Sequence, residues 1–167
     1  MKHTLIFLLA LSLLLTFTSC RHEMSADAVL SAMCLSQPIL PAGQVYLSSA
    51  SPGEKEFADE ELLAVLFGDG LLPVEFEAVN AFALRLSGFA MPYEFAVFAC
   101  VSSRDAYDVA QMCLRRTDQL RQSCRGTAFE TIADSAQVCV IGKYVLLAAG
   151  EDTETAIEAG RRAMRGK

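Results

Sequence analysis

The only histidines in this 167-residue chain are His3 and His22, and both precede residue 24. A serine or cysteine nucleophile needs a neighbouring base, and any domain folded from the later residues has no imidazole to supply one. The same lack disfavours a histidine-containing zinc site. Of the cysteines, Cys20 stands apart, leaving Cys34, Cys100, Cys113, Cys124 and Cys139, with no CxxC pair among them. An odd set without paired spacing argues against a disulfide framework or a metal cage. Several of the five fall on apolar faces, which reads as core thiols. Asp59-Glu60-Glu61 has the placement of acidic residues at a helix N-terminus, and Glu75 and Glu77, two apart, read as one solvent face. Neither GxxxxGKS/T nor GxGxxG occurs, so phosphate-cradling loops are not expected. The expectation is no catalytic residue, no cofactor-binding residue and no metal ligand.

The remaining chemistry lies before the domain. Lys2 opens the chain, Leu5 to Leu15 is apolar apart from Ser12, and Thr16-Phe17-Thr18-Ser19-Cys20 follows. A basic start, a short apolar run and small residues make a secretory signal, and the run is well short of the ~20 residues of a spanning helix. Phe17-Thr18-Ser19-Cys20 resembles the lipobox of bacterial lipoproteins, departing from it at Phe17, where leucine is usual. The resemblance implies cleavage between Ser19 and Cys20 and a diacylglyceryl group on the Cys20 thiol. Two or three acyl chains, such as palmitate, hold a protein on a bilayer where a single chain does not. The alternative is an ordinary cleaved signal with an incidental cysteine. The expected organisation is a lipoprotein signal peptide over 1–19, a lipidated Cys20 with a short tether over 20–23, and a single domain over 24–167. That places the domain on the extracytoplasmic face of the cell membrane, with membrane lipid as its first partner.

Acidic residues outnumber basic ones by 20 to 14, for a net charge of −6. That excludes the basic surface nucleic acid selects, so no nucleic-acid partner is expected. It also leaves no broad attraction to an anionic bilayer. The length past the signal suffices for one domain with a substantial core.

The elements that would frame any site are legible from spacing. Met24 to Cys34 reads as a helix with Ala28, Val29, Ala32 and Met33 on one face. Pro38, Pro41 and Gly43 break it, and Gln44 to Ser48 alternates as a short strand. Ser51-Pro52-Gly53-Glu54 and Asp59 are rival starts for a helix through Leu62, Leu63, Val65, Leu66 and Phe67, stopped at Gly68. Pro73 to Ala81 fits either a strand or a helical stripe. Phe82, Leu84 and Leu86 alternate with Ala83, Arg85 and Ser87 as a half-buried strand. Glu94 to Val101, apolar on both faces, reads as a central strand completing a hairpin. Ser102-x-x-Asp105 opens the longest helix, with a stripe at Ala106, Val109, Ala110, Cys113, Thr117, Leu120 and Cys124. Asp108, Arg115, Arg116, Gln119 and Gln122 are expected to point away from that stripe. Ala136 to Ile141, a Gly142-Lys143 turn and Tyr144 to Ala149 form a second hairpin, and Asp152 or Thr153 caps a last helix to about Met164. The expected fold is α+β: a single domain with a mostly antiparallel sheet of about five strands, covered by helices on one face.

The lipobox, the strand Glu94 to Val101, the helix from Arg104 to Arg116 and the hairpin around Gly142-Lys143-Tyr144-Val145 together resemble the bacterial lipoproteins grouped as domain of unknown function 4358. The likeness spans roughly Asp59 to Glu158. It implies a lipoprotein on the outer face of the cytoplasmic membrane and carries no activity or site residue.

Two groups of cations remain, Arg115, Arg116, Arg121 and Arg125 in one helix, and Arg161, Arg162, Arg165 and Lys167 at the end of the last. Cations at helix C-termini are worth ~0.3–1 kcal/mol each, which accounts for both. A patch for lipid headgroups or wall polymers is the alternative, weakened if the helices are antiparallel. The function expected is a non-enzymatic extracytoplasmic binding or interaction domain, its partner an envelope protein or cell-wall component. The alternative is a solute-binding lipoprotein serving a membrane complex. A pocket of several hundred cubic ångströms lined by Tyr or Arg would favour the solute binder, a flat exposed apolar patch the adaptor.

Overall fold

The architecture follows from β3 (Glu94–Cys100), whose residues are apolar on both sides and so demand cover on both sides. A computed structural model describes residues 24–88 and 91–166. Cys20, its cleavage site and the tether lie outside the described residues. β3 is the middle of a five-stranded sheet of order β1-β2-β3-β5-β4, every neighbouring pair antiparallel. The other strands are β1 (Gly43–Leu47), β2 (Val79–Ser87), β4 (Gln137–Ile141) and β5 (Tyr144–Ala149). The helices are α1 (Ala26–Leu35), α2 (Glu60–Phe67), α3 (Asp105–Cys124), the short α4 (Glu130–Asp134) and α5 (Thr153–Met164), with a 3₁₀ turn over Val74–Ala78. This is a single α+β domain with a five-stranded antiparallel sheet.

The sheet is covered on both faces, not one. Phe95 and Val97 of β3 pack with Val29, Leu30 and Met33 of α1 and Ala156 and Ile157 of α5. Their neighbours Ala96, Phe98 and Cys100 pack with Val109, Met112 and Cys113 of α3 and Leu63, Leu66 and Phe67 of α2. The strict alternation of side chains along a strand makes this division unavoidable. Edge-to-face rings fix the second face: Phe67 meets Phe98 at 5.4 Å between centroids, and Phe76 meets Phe67 at 5.8 Å.

Covering both faces corrects one local expectation. Ala83 and Arg85 of β2 are buried rather than solvated, because α1 and the loop after it lie over them. Arg85 donates from Nη2 to the Pro41 carbonyl, while its Nη1 is buried without a partner. Of the two readings open for Pro73 to Ala81, the chain takes a 3₁₀ turn over Val74–Ala78 that runs into β2 at Val79, and Glu75 accepts from Arg115 at 2.6 Å.

Helix starts follow capping chemistry. Asp59 Oδ1 accepts from the Leu62 amide at 2.8 Å, so α2 begins at Glu60. The rival Ser51 start makes a turn only: its amide donates to Glu54 at 2.7 Å, with no helix behind it. Ser102 Oγ accepts from the Asp105 amide at 3.2 Å at the head of α3, and Asp152 Oδ1 accepts from Thr155 at 2.9 Å at the head of α5. Gly126, at φ +73, and Gly142, at φ +60, turn the chain where a side chain would be strained.

α1 and α5 pack against each other and run antiparallel. The Gln37 side chain, just past α1, donates to the Asp152 carbonyl at 2.8 Å and accepts from the Asp152 amide at 3.2 Å, at the start of α5. The beginning of α1 therefore lies beside the end of α5, and Met24 and Met164 both pack on the same core.

Candidate functional site

The stripe predicted for α3 is buried as expected, from Ala106 through Cys124. Arg116 is the exception to the polar face assigned beside it. It turns inward to Glu94, the first residue of β3, and the pair is largely buried, with side-chain exposures of 18% and 4%. Nε donates to both Glu94 oxygens at 3.1 Å, Nη2 donates to Oε2 at 2.8 Å, and Nη1 reaches Gln119 Oε1 at 3.4 Å. Such a pair costs desolvation on both sides and is held by its geometry.

This ion pair lines a cleft of about 570 Å³ between α2 and α3, over the β1–β2–β3 end of the sheet. Leu62, Val65 and Leu66 come from α2, and Leu120 and Cys124 from α3. Tyr46 and Leu86 come from β1 and β2, while Met91, Pro92 and Tyr93 come from the turn between β2 and β3. Phe129 closes one side from the connector after α3. The cleft is thus an apolar volume with one neutralised pair of charges in its wall, within the size range of ligand pockets.

Several of its other polar groups are already oriented. The Ser87 hydroxyl donates to the Met91 carbonyl at 2.6 Å, and Ser123 donates to Leu120 at 2.9 Å. With their protons so placed, these oxygens offer lone pairs to a visiting donor. The Tyr93 hydroxyl donates to Glu151 at 2.6 Å. Burial, and then the Glu151 hydrogen bond and charge, push its pKa up to about 12.

The five described cysteines are free thiols, with Cys100, Cys113 and Cys124 buried and Cys34 and Cys139 half-buried. Burial raises Cys34 to about 11, against the opposing charge of Arg85, and raises Cys113 well above its ordinary range. These two are therefore weak nucleophiles. Among the described residues no group of His, Cys, Asp and Glu could hold a metal ion, and no helix is long and apolar enough to cross a membrane.

The two arginine groups separate. Arg115, Arg116 and Arg121 lie on α3, on one face of the sheet, and Arg161 and Arg162 on α5, on the other. Within the first group Arg115 pairs with Glu75, Arg116 with Glu94, and Arg121 with Asp118 at 2.9 Å. The two groups therefore belong to helices on opposite sides of the sheet.

Sequence reasoning did not find the cleft, because its lining comes from four separated segments. Glu94, the one charge at the head of an otherwise apolar strand, was the available signal. Comparison with family models, with curated proteins and with solved structures returns no match to this chain.

Proposed function

We propose that this chain is a non-enzymatic, membrane-attached binding domain whose cleft takes a small, largely apolar ligand carrying a hydrogen-bond donor. The observation that supports this reading is the cleft itself: about 570 Å³, walled by leucines, tyrosines and Phe129, with the Glu94–Arg116 pair set into it. Apolar walls supply the affinity and a few fixed polar groups supply the orientation. A hydroxyl or amine on the ligand would meet the acceptor oxygens of Ser87 and Ser123. Both Glu94 oxygens are engaged by Arg116, and Tyr93 is engaged by Glu151, so neither is placed as a ready general base or acid. Membrane attachment rests on the signal and lipobox-like segment before residue 24.

The test is native mass spectrometry of the protein released gently from its own membranes, beside a thermal-shift screen of amphipathic small molecules. A retained ligand, lost in Ser123→Trp, which fills the cleft, supports the reading. If no ligand is retained and no compound raises the melting temperature, the small-ligand reading fails.

One observation favours a second reading. Leu71 and Val74, in and after the loop following α2, are 81% and 71% exposed, with Leu72 beside them. Neighbouring apolar side chains left in water suit a contact with an envelope protein. In-cell crosslinking from position 71 to a discrete partner would support that alternative.

A further inference from the structure

The end of the domain at which the chain arrives carries its own cation cluster. Met24 begins the described chain, and its carbonyl accepts from the Tyr144 hydroxyl at 2.9 Å, at the head of β5. The antiparallel packing of α1 and α5 brings the last turn of α5 to this same end. Charge is sorted along α5: Glu154 and Glu158 occupy its earlier turns, and Arg161, Arg162 and Arg165 follow. Arg161 is tied to Glu158 at 3.3 Å and to the Cys139 sulfur at 3.5 Å. Arg162 and Arg165 are exposed, and among the described residues no acidic side chain pairs with either.

The opposite end holds the cleft. β3 runs from Glu94, in the cleft wall, to Cys100, and its partner β5 runs from Ala149 back to Tyr144. At about 3.3 Å per residue the two ends of β3 lie about 20 Å apart. From Cys20 to Met24 an extended chain spans at most about 14 Å. If the preceding segment is membrane-attached, the Met24 end is held close to the bilayer and the cleft is held beyond it.

We propose that the end face formed by Met24 and the last turn of α5 docks on anionic lipid headgroups through Arg162 and Arg165, fixing the domain upright with its cleft directed away from the membrane. The inference rests on the membrane-attachment part of the functional reading and not on the identity of the cleft's ligand. A basic residue near an anionic surface contributes ~1 kcal/mol, so two arginines do not replace an anchor. They orient a domain that is already tethered. The acidic Asp105, Asp108, Glu75 and Glu77 stand at this same end of the sheet but on its α3 side, so the α5 side of the end face is the one turned to the headgroups.

The experiment uses the full chain, processed in its host and reconstituted into vesicles of phosphatidylcholine alone or with phosphatidylglycerol. A fluorescent amino acid is placed at Gly166, beside the cluster, or at Ser123, in the cleft wall, and quenched by a headgroup-attached quencher. Flotation of the vesicles reads attachment independently. The expected result is quenching at Gly166 at least twofold stronger in phosphatidylglycerol vesicles, reduced to the phosphatidylcholine level by Arg162→Glu/Arg165→Glu, with little quenching at Ser123. Protein that floats but shows the same Gly166 quenching in both vesicles, or in the double variant, overturns the docking proposal while leaving attachment intact. Protein that does not float with either vesicle overturns attachment and docking together.

Discussion

Glu94 and Arg116 meet across the interface between the central strand and the longest helix, and each satisfies the other where little of either side chain is exposed. Arg116→Met leaves the Glu94 carboxylate nearly buried without a counter-charge, and such a loss costs about 3–5 kcal/mol. Glu94→Leu combined with Arg116→Met removes both charges and recovers most of that loss. Urea unfolding of the single and double variants measures the difference. Equal destabilisation in the two would mean that packing, not charge pairing, sets the cost.

Alkali should loosen the fold before it reaches any arginine. Burial, then the Asp105 charge, raises Cys100 to about 11 against the opposing Lys143; burial likewise raises Cys34 to about 11 and Tyr93 to about 12. Each folded value exceeds the ordinary one, 9 for the thiols and 10 for the phenol, so the folded state keeps these protons longer. Their contribution is complete below pH 9 and is lost as pH rises through 11 to 12. Urea midpoints from pH 8 to 11.5 should fall steadily, and Tyr93→Phe should flatten the part above pH 10.

Thiol reactivity should rank the described cysteines. Cys139 is half-buried on the edge strand, whereas burial pushes the half-buried Cys34 thiol up to about 11. Maleimide labelling at pH 7.5 followed by peptide mass spectrometry should find Cys139 first and Cys34 later. Cys100, Cys113 and Cys124 should react only in denaturant. Early labelling of Cys113 would contradict its burial.

Gly160 sits where α5 packs tightly on Leu146 of β5 and Met33 of α1. A Cβ there would stand 2.5 Å from Leu146 Cδ2 and 3.1 Å from Met33 Cγ. Gly160→Val should therefore cost about 1–3 kcal/mol through overpacking. Gly160→Ala gains up to about 1 kcal/mol of helix propensity against a smaller clash, and should lie near wild type. Thermal melts of the two variants separate these cases.

The hairpins, the α3 stripe and the caps at Asp59 and Asp152 were legible because each is local: turn residues, three- and four-residue spacing, and an acceptor placed just before a helix. The second cover of the sheet was implied by Phe95 and Val97 alternating with Ala96 and Phe98, since a strand apolar on both sides needs two partners. The sequence reading of Arg85 as solvated failed for that reason. Arg116 was misread because helical spacing places it at the border of the stripe, between Cys113 and Leu120, where an inward carboxylate decides its direction. Glu94 supplies that carboxylate from 22 positions earlier. No local pattern records such a meeting, and none records the four segments that build the cleft.

The clasp between Gln37 and Asp152 joins positions 115 residues apart. Until α5 has been synthesised, α1 has no helix to pair with, and the sheet face shared by Phe95 and Val97 lacks half its cover. A growing chain therefore cannot complete this core before α5 has left the ribosome. Closure over so long a separation is also slow. Both effects leave this face of the sheet half covered, with its apolar side chains in water, until α5 has joined it.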